Sequence, residues 1–169
     1  DCLALGPVTI SPGTWRCDTM IQVGPNQSLT LAPGATLIRQ SAHSASTDPV
    51  VWINGAQASV VGGGCASSAI VTENRSPSGV VRLGFTDMTG HVPDRSIYRC
   101  TLRALKLQGK DYQGGGFDDC VLYMPSAQND SDPNPRINYF HVIEALSLLN
   151  GNRGLHLHGW SNGNFITNI

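Results

Sequence analysis

The chain has 169 residues, 40% of them hydrophobic and only 14% charged, with a formal net charge of −1. That charge fraction is well below the roughly 25% of an ordinary soluble domain, and it excludes the charge-rich composition of a disordered chain. It also leaves no basic patch for nucleic acid or an anionic membrane, and no apolar run approaches the roughly 20 residues that insert across a bilayer.

Gly (19) and Pro (10) are spread along the whole chain, so corners are frequent, elements are short and long helices are excluded. In chain order the β-branched runs predict strands at Val8–Ile10, Met20–Val23, Ser28–Leu31, Thr36–Ile38, Val50–Ile53, Ser59–Val61, Ile70–Thr72 and Val80–Leu83. Further strands are expected at Ile97–Leu102, Cys120–Tyr123, Ile137–Ile143, Leu155–His158 and Phe165–Thr167, with a single helical turn at Glu144–Leu149. Strands this short and numerous fit a sandwich or a solenoid.

A repeat of about 20 residues favours the solenoid. Tyr98 to Leu102 recurs as Asp118 to Leu122 and again as Asn138 to Val142, which predicts one column of Cys100, Cys120 and Phe140. The fold expected is all-β: a right-handed, single-stranded parallel β-helix forming one domain over residues 1–169. The chain opens Asp-Cys rather than with Met and reaches Ile169 in mid-strand with no polar cap, so it is expected to be a fragment of something longer. Five cysteines without a Cys-x-x-Cys pair argue against structural zinc. Most are expected to be small buried hydrophobes, with a Cys2–Cys17 disulfide open as an alternative.

Several short motifs carry a resemblance. Ser11-Pro12-Gly13-Thr14-Trp15, then Gln27 through Leu37, then Val50–Ile53 with Ser59–Gly64, and finally Asn152–Gly159 and Gly163–Asn168 follow one another in order. Together they resemble the strand-and-glycine-corner steps of the pectate-lyase-like β-helix superfamily, in particular its phage tail-spike proteins. The Gly-Ala-x-Gly-Asp-Gly opening and capping helix common in that group are absent. The resemblance implies a homotrimer on a virion surface or in an extracellular setting. It implies a polysaccharide or surface glycan as partner, bound and, in an enzymatic version, depolymerised. A secreted polysaccharide lyase or glycoside hydrolase and a purely structural solenoid are the alternatives.

Acidic residues are sparse enough to weigh singly. Asp118-Asp119 is the one adjacent acidic pair. Alternation from an inward Cys120 turns Asp119 outward, and the 20-residue register places it between Arg99 and Tyr139. Asp119 is then a candidate acid or base, or one rung of a surface Arg–Asp ladder. Glu144 is the candidate second carboxylate, because glycoside hydrolysis uses two carboxyl groups about 5 to 9.5 Å apart. Leu155-His156-Leu157-His158 alternates, so His156 and His158 share the outer face as substrate-binding candidates, joined by Trp160 for stacking on a sugar ring. Trp160 also suits a trimer contact or a corner plug. Two histidines need a third ligand to hold zinc, and His141 is a distant one, so neither metal nor cofactor is expected. Asp130 and Asp132 read as a surface turn, since the Gly and Glu of a calcium loop are missing. No phosphate loop or nucleophile elbow is present.

Overall fold

The computed structural model describes residues 6–39, 48–84, 97–110, 119–125, 138–159 and 161–169. Within them the chain is all-β and contains no helix. The strands are β1 (Val8–Ile10), β2 (Gly13–Cys17), β3 (Ile21–Val23), β4 (Ser28–Leu31), β5 (Ala35–Arg39), β6 (Val51–Ile53), β7 (Ser59–Gly62), β8 (Ala69–Thr72) and β9 (Val81–Leu83). They continue as β10 (Ile97–Tyr98), β11 (Thr101–Gln108), β12 (Cys120–Pro125), β13 (Asn138–Tyr139), β14 (Val142–Leu149), β15 (Arg153–His158), β16 (Ser161–Asn162) and β17 (Phe165–Thr167).

Every strand pair is parallel, and each strand pairs with the equivalent strand of the next circuit of chain. One sheet of nine strands holds two adjoining columns, a second runs β15-β12-β9-β6-β3, and a third is the short column β10-β13-β16. Stacked circuits of this kind are consistent with a β-solenoid. The apolar core follows directly from the register. Val8, Leu29, Val60, Leu102, Ile143 and Ile166 form one continuous inward column through six circuits. Ile21, Val51, Val81, Leu122 and Leu155 form another across the interior. Period-2 alternation makes this possible, because every second side chain of each short strand meets its equivalent above and below.

The corner leading into β4, β7, β11, β14 and β17 is built by a second, backbone column. Asn26, Gln57, Arg99, Phe140 and Gly163 all have positive φ, between 54° and 61°. Each but the last donates its N–H across the stack, to the carbonyls of Ala56, Tyr98, Tyr139 and Asn162 respectively, at 2.8–3.2 Å. The left-handed turn therefore costs no hydrogen bond, although only Gly163 adopts it without a steric penalty. Ala104 (φ 57°) and Ala145 (φ 52°) do the same job within β11 and β14, bending each long strand so that it serves two columns. One circuit below, Gly62 is required because a Cβ there would run into the Ala104 carbonyl.

Three expectations are corrected. The 20-residue spacing is not the circuit: from Val8 through Leu29, Val60, Leu102 and Ile143 to Ile166, equivalent positions lie 21, 31, 42, 41 and 23 residues apart along the stack. Cys100 and Cys120 open two different columns of one circuit, where the Cys-x-Leu pattern marks a strand beginning after a corner. Phe140 is equivalent to Arg99, one residue off the Cys100 position, and is 57% exposed. A one-residue slip moves a side chain to the other face, so no column of Cys100, Cys120 and Phe140 exists. Glu144–Leu149 is strand, not a helical turn, because seven of the eight residues of β14 pair with β11. In addition β2 and β16 are strands that the β-branched pattern missed, since Gly13, Thr14, Ser161 and Asn162 offer little apolar signal.

Because Leu102 is fully buried at the centre of the longest inward column, Leu102→Ala is expected to lower unfolding stability by about 2–5 kcal/mol. Urea titration of both proteins measures this; a loss below about 1 kcal/mol contradicts the stacked core.

Candidate functional site

The sheet β15-β12-β9-β6-β3 presents one unbroken outward row. Its central residues are Gln22, Trp52, Arg82, Tyr123 and His156, each in register with the next. Adjacent rungs of a sheet are roughly 4.8 Å apart, so the row extends on the order of 20 Å along the stack. Trp52 is pinned edge-on, its Nε1–H donating to the Gly84 carbonyl at 2.6 Å. That leaves its ring to the Arg82 guanidinium, whose carbon lies 5.5 Å from the ring centroid. Arg82 is only 6% exposed. Burial lowers its pKa, while Asp48 nearby favours the charged form. A desolvated cation over an indole face is a stronger contact than the same pair in water.

Above Arg82 the row becomes aromatic. The Tyr123 ring lies 5.0 Å from His156 and 6.4 Å from His158, and its hydroxyl is 3.3 Å from His158 Nδ1. Nη1 of Arg153 is 3.3 Å from Nδ1 and 3.5 Å from Nε2 of His156. The Arg153 guanidinium is thus within hydrogen-bond reach of the His156 ring nitrogens. Partial burial and the two neighbouring cationic or imidazole groups, Arg153 and His158, lower the His156 pKa and favour its neutral form. Burial raises the Tyr123 pKa, so the phenol stays protonated at neutral pH. The row thus offers flat rings, a phenol, imidazoles and, from Arg153, a guanidinium on one face, with Arg82 itself buried.

The structure brings Arg99 and Tyr139 together at a different corner. Tyr139 accepts the Arg99 N–H through its carbonyl at 3.2 Å, and its ring stacks on Tyr98 at 5.4 Å. Phe140 meets Tyr139 edge-on at 5.2 Å. His156 and His158 are together on β15, as the alternation requires. Asp119 joins neither group. It precedes Cys120, which is in register with Arg153, so it does not lie between Arg99 and Tyr139. It is buried, 3% exposed, accepts the Ser76 N–H at 3.0 Å and pairs with Arg75 at 3.5 Å. Glu144 lies in another sheet, opposite Arg103, with an ion pair of 3.6 Å. The two candidate carboxylates therefore occupy different columns, each beside an arginine. Asp118, Asp130, Asp132 and Trp160 lie outside the described residues, as does Cys2.

Cys17 carries a free thiol directed at the Ile38 carbonyl. Cys100 and Cys120 are fully buried, and burial pushes their thiols up to about 11, which removes them as nucleophiles. His141 is buried at the corner before β14, in a different column from His156 and His158, and is bonded to backbone. Among the described residues no three His, Cys, Asp or Glu side chains cluster closely enough to hold a metal ion.

Trp52, Arg82, Tyr123 and Arg153 were not singled out in the sequence. A signal was present: Val-Trp-Ile, Val-Arg-Leu and Leu-Tyr-Met are three apolar-x-apolar triplets whose middle residues must share a face once their strands stack. The register needed to line them up is not periodic and was invisible.

Asp119 is placed as a structural anchor by its burial and its two partners. Asp119→Ala leaves the Ser76 N–H without its acceptor and is expected to cost about 1–3 kcal/mol. Thermal or urea unfolding reads this, and an unchanged midpoint removes the anchor role. No family model, curated protein or solved structure matches this chain.

Proposed function

We propose that this chain is the glycan-binding part of a phage tail-spike- or fibre-type protein, a right-handed single-stranded parallel β-helix displayed on a virion or in an extracellular setting. Right-handedness follows from the rule that parallel β-crossover-β connections take that hand in about 98% of cases. The trimeric state and the setting rest on the motif resemblance.

One observation carries the binding reading: the outward row Trp52, Arg82, Tyr123, His156, flanked by Arg153 and His158. Aromatic faces cover the C–H side of a pyranose, while the Arg153 guanidinium and the phenol and imidazole groups bond its hydroxyls, and the buried Arg82 holds the Trp52 ring. The rise of roughly 4.8 Å per circuit is close to the length of one sugar unit in an extended glycan. A polysaccharide lying along the stack would then meet an equivalent side chain at each unit. The reading as a hydrolase has less support, because Asp119 and Glu144 sit in separate columns beside Arg75 and Arg103.

A glycan array probed with the purified chain identifies the ligand. Tyr123→Ala is then expected to weaken binding about tenfold, the loss of a stacking contact worth about 1.4 kcal/mol. Arg103→Ala, on another face, leaves it unchanged. Absence of binding across bacterial surface polysaccharides, or equal loss in both variants, overturns the reading. Sedimentation equilibrium tests the assembly, with a trimer expected and a monomer counting against the tail-spike assignment.

A further inference from the structure

His141 occupies a position that no part of the glycan-binding reading uses. It is fully buried at the corner between β13 and β14, directly above Cys100 in the circuit below and below Asn164 in the circuit above. Its Nδ1 accepts the Cys100 backbone N–H at 3.1 Å, and its own backbone N–H donates to Asn164 Oδ1 at 3.0 Å. An Nδ1 that accepts fixes the proton on Nε2, and that atom is buried without a hydrogen-bond partner. The imidazole therefore ties its circuit to the one below, in its neutral form only, while the backbone N–H of the same residue holds the circuit above, whose Asn164 is stacked over it.

We infer that His141 is an acid-sensitive latch: protonation of its imidazole releases the β16–β17 segment from the circuit carrying β13 and β14. Adding a proton places an N–H on Nδ1, where the Cys100 N–H already points, so two donors face each other. The second N–H gains no acceptor either. Cys100 is the titratable side chain that meets the ring from the circuit below, and its thiol is already directed at the Gly55 carbonyl, 3.1 Å away. Tyr98, Arg99, Arg103, Tyr139 and Glu144, on the strands packed around this corner, lie on the outer surface, and residues 161–169 carry no titratable side chain. Among the described residues no carboxylate compensates the charge, and burial pulls the His141 pKa down to about 4. The sign follows. The closed state disfavours the proton, so it is fully stable above the ordinary histidine value of about 6.5, and closure weakens progressively as pH falls from there toward about 4.

The joint above His141 yields before the one below. β17 pairs three residues of β14, whereas β11 pairs seven on the other side. Phe165 is 58% exposed, so burial adds little to that pairing. Opening there uncovers the imidazole while the inner circuits keep their register.

Amide hydrogen exchange on the full chain, corrected for intrinsic rates, tests this at the Phe140 and Phe165 amides, which cross the joint to Asn162 and His141. Between pH 7 and pH 4.5 their opening constant is expected to rise about a hundredfold, with the Lys106 amide in the inner circuit unchanged. His141→Asn keeps an oxygen acceptor near the Nδ1 position and has no proton to gain, so its opening should not respond to pH. Unchanged protection in the native protein, or the same pH response in His141→Asn, overturns the inference. Should that variant fail to fold, the His141 ring resonances of the native chain decide. Titration in step with Phe165 opening supports the latch, and titration near 6.5 without opening refutes it.

Discussion

A strand three to five residues long has almost nothing to hold it except the strands directly above and below. Among the described residues every such partner is parallel and in register, so the backbone hydrogen bonds of the strand ladders join one circuit to the next. The inward column from Val8 to Ile166 and the outward row from Gln22 to His156 are two faces of that single constraint. Stability in such a stack is a sum of neighbour terms, and no circuit is stable in isolation.

Strict register in the strands coexists with free variation between them. The distance along the chain from one circuit to the next ranges from 21 residues (Val8 to Leu29) to 42 (Val60 to Leu102), yet paired residues remain opposite one another. Corners make this possible. The left-handed residues Asn26, Gln57, Arg99, Phe140 and Gly163 hold one corner at a constant geometry, each passing its N–H to the next circuit where a next circuit is described. Extra residues are placed outside these anchor points, so insertions lengthen loops without shifting a face. A binding row can therefore survive changes in loop length that would destroy it in a hairpin sheet.

Charge is used sparingly and mostly in compensated form. Arg75 with Asp119 and Arg103 with Glu144 are local pairs that tie strands or corners, and the Arg39 guanidinium donates to the carbonyls of Asp48 and Pro49. In the row on β6, β9, β12 and β15 the cations also meet rings, Arg82 lying over Trp52 and Arg153 within hydrogen-bond reach of the His156 imidazole. A cation on an aromatic face is held without its in-plane donors being used by the ring. His141 shows the converse, a neutral imidazole used as a structural acceptor where any charge would be uncompensated.

Strand positions, the all-β class and the inward or outward sense of His156 and His158 were legible in the sequence, because alternation and β-branched content are local properties set within a few residues. Turn residues marked most corners for the same reason. The pairing of circuits was not legible: it depends on which corners close onto one another, and loops of unequal length erase the period that would reveal it. Hence Cys100 and Cys120 looked equivalent but open different columns, and Asp119 looked outward but is buried beside Arg75. For the same reason Trp52, Arg82, Tyr123 and His156, some 30 to 40 residues apart along the chain, became neighbours only when parallel strands stacked them. Local physics decided what each segment is, and non-local hydrogen bonding decided what it touches.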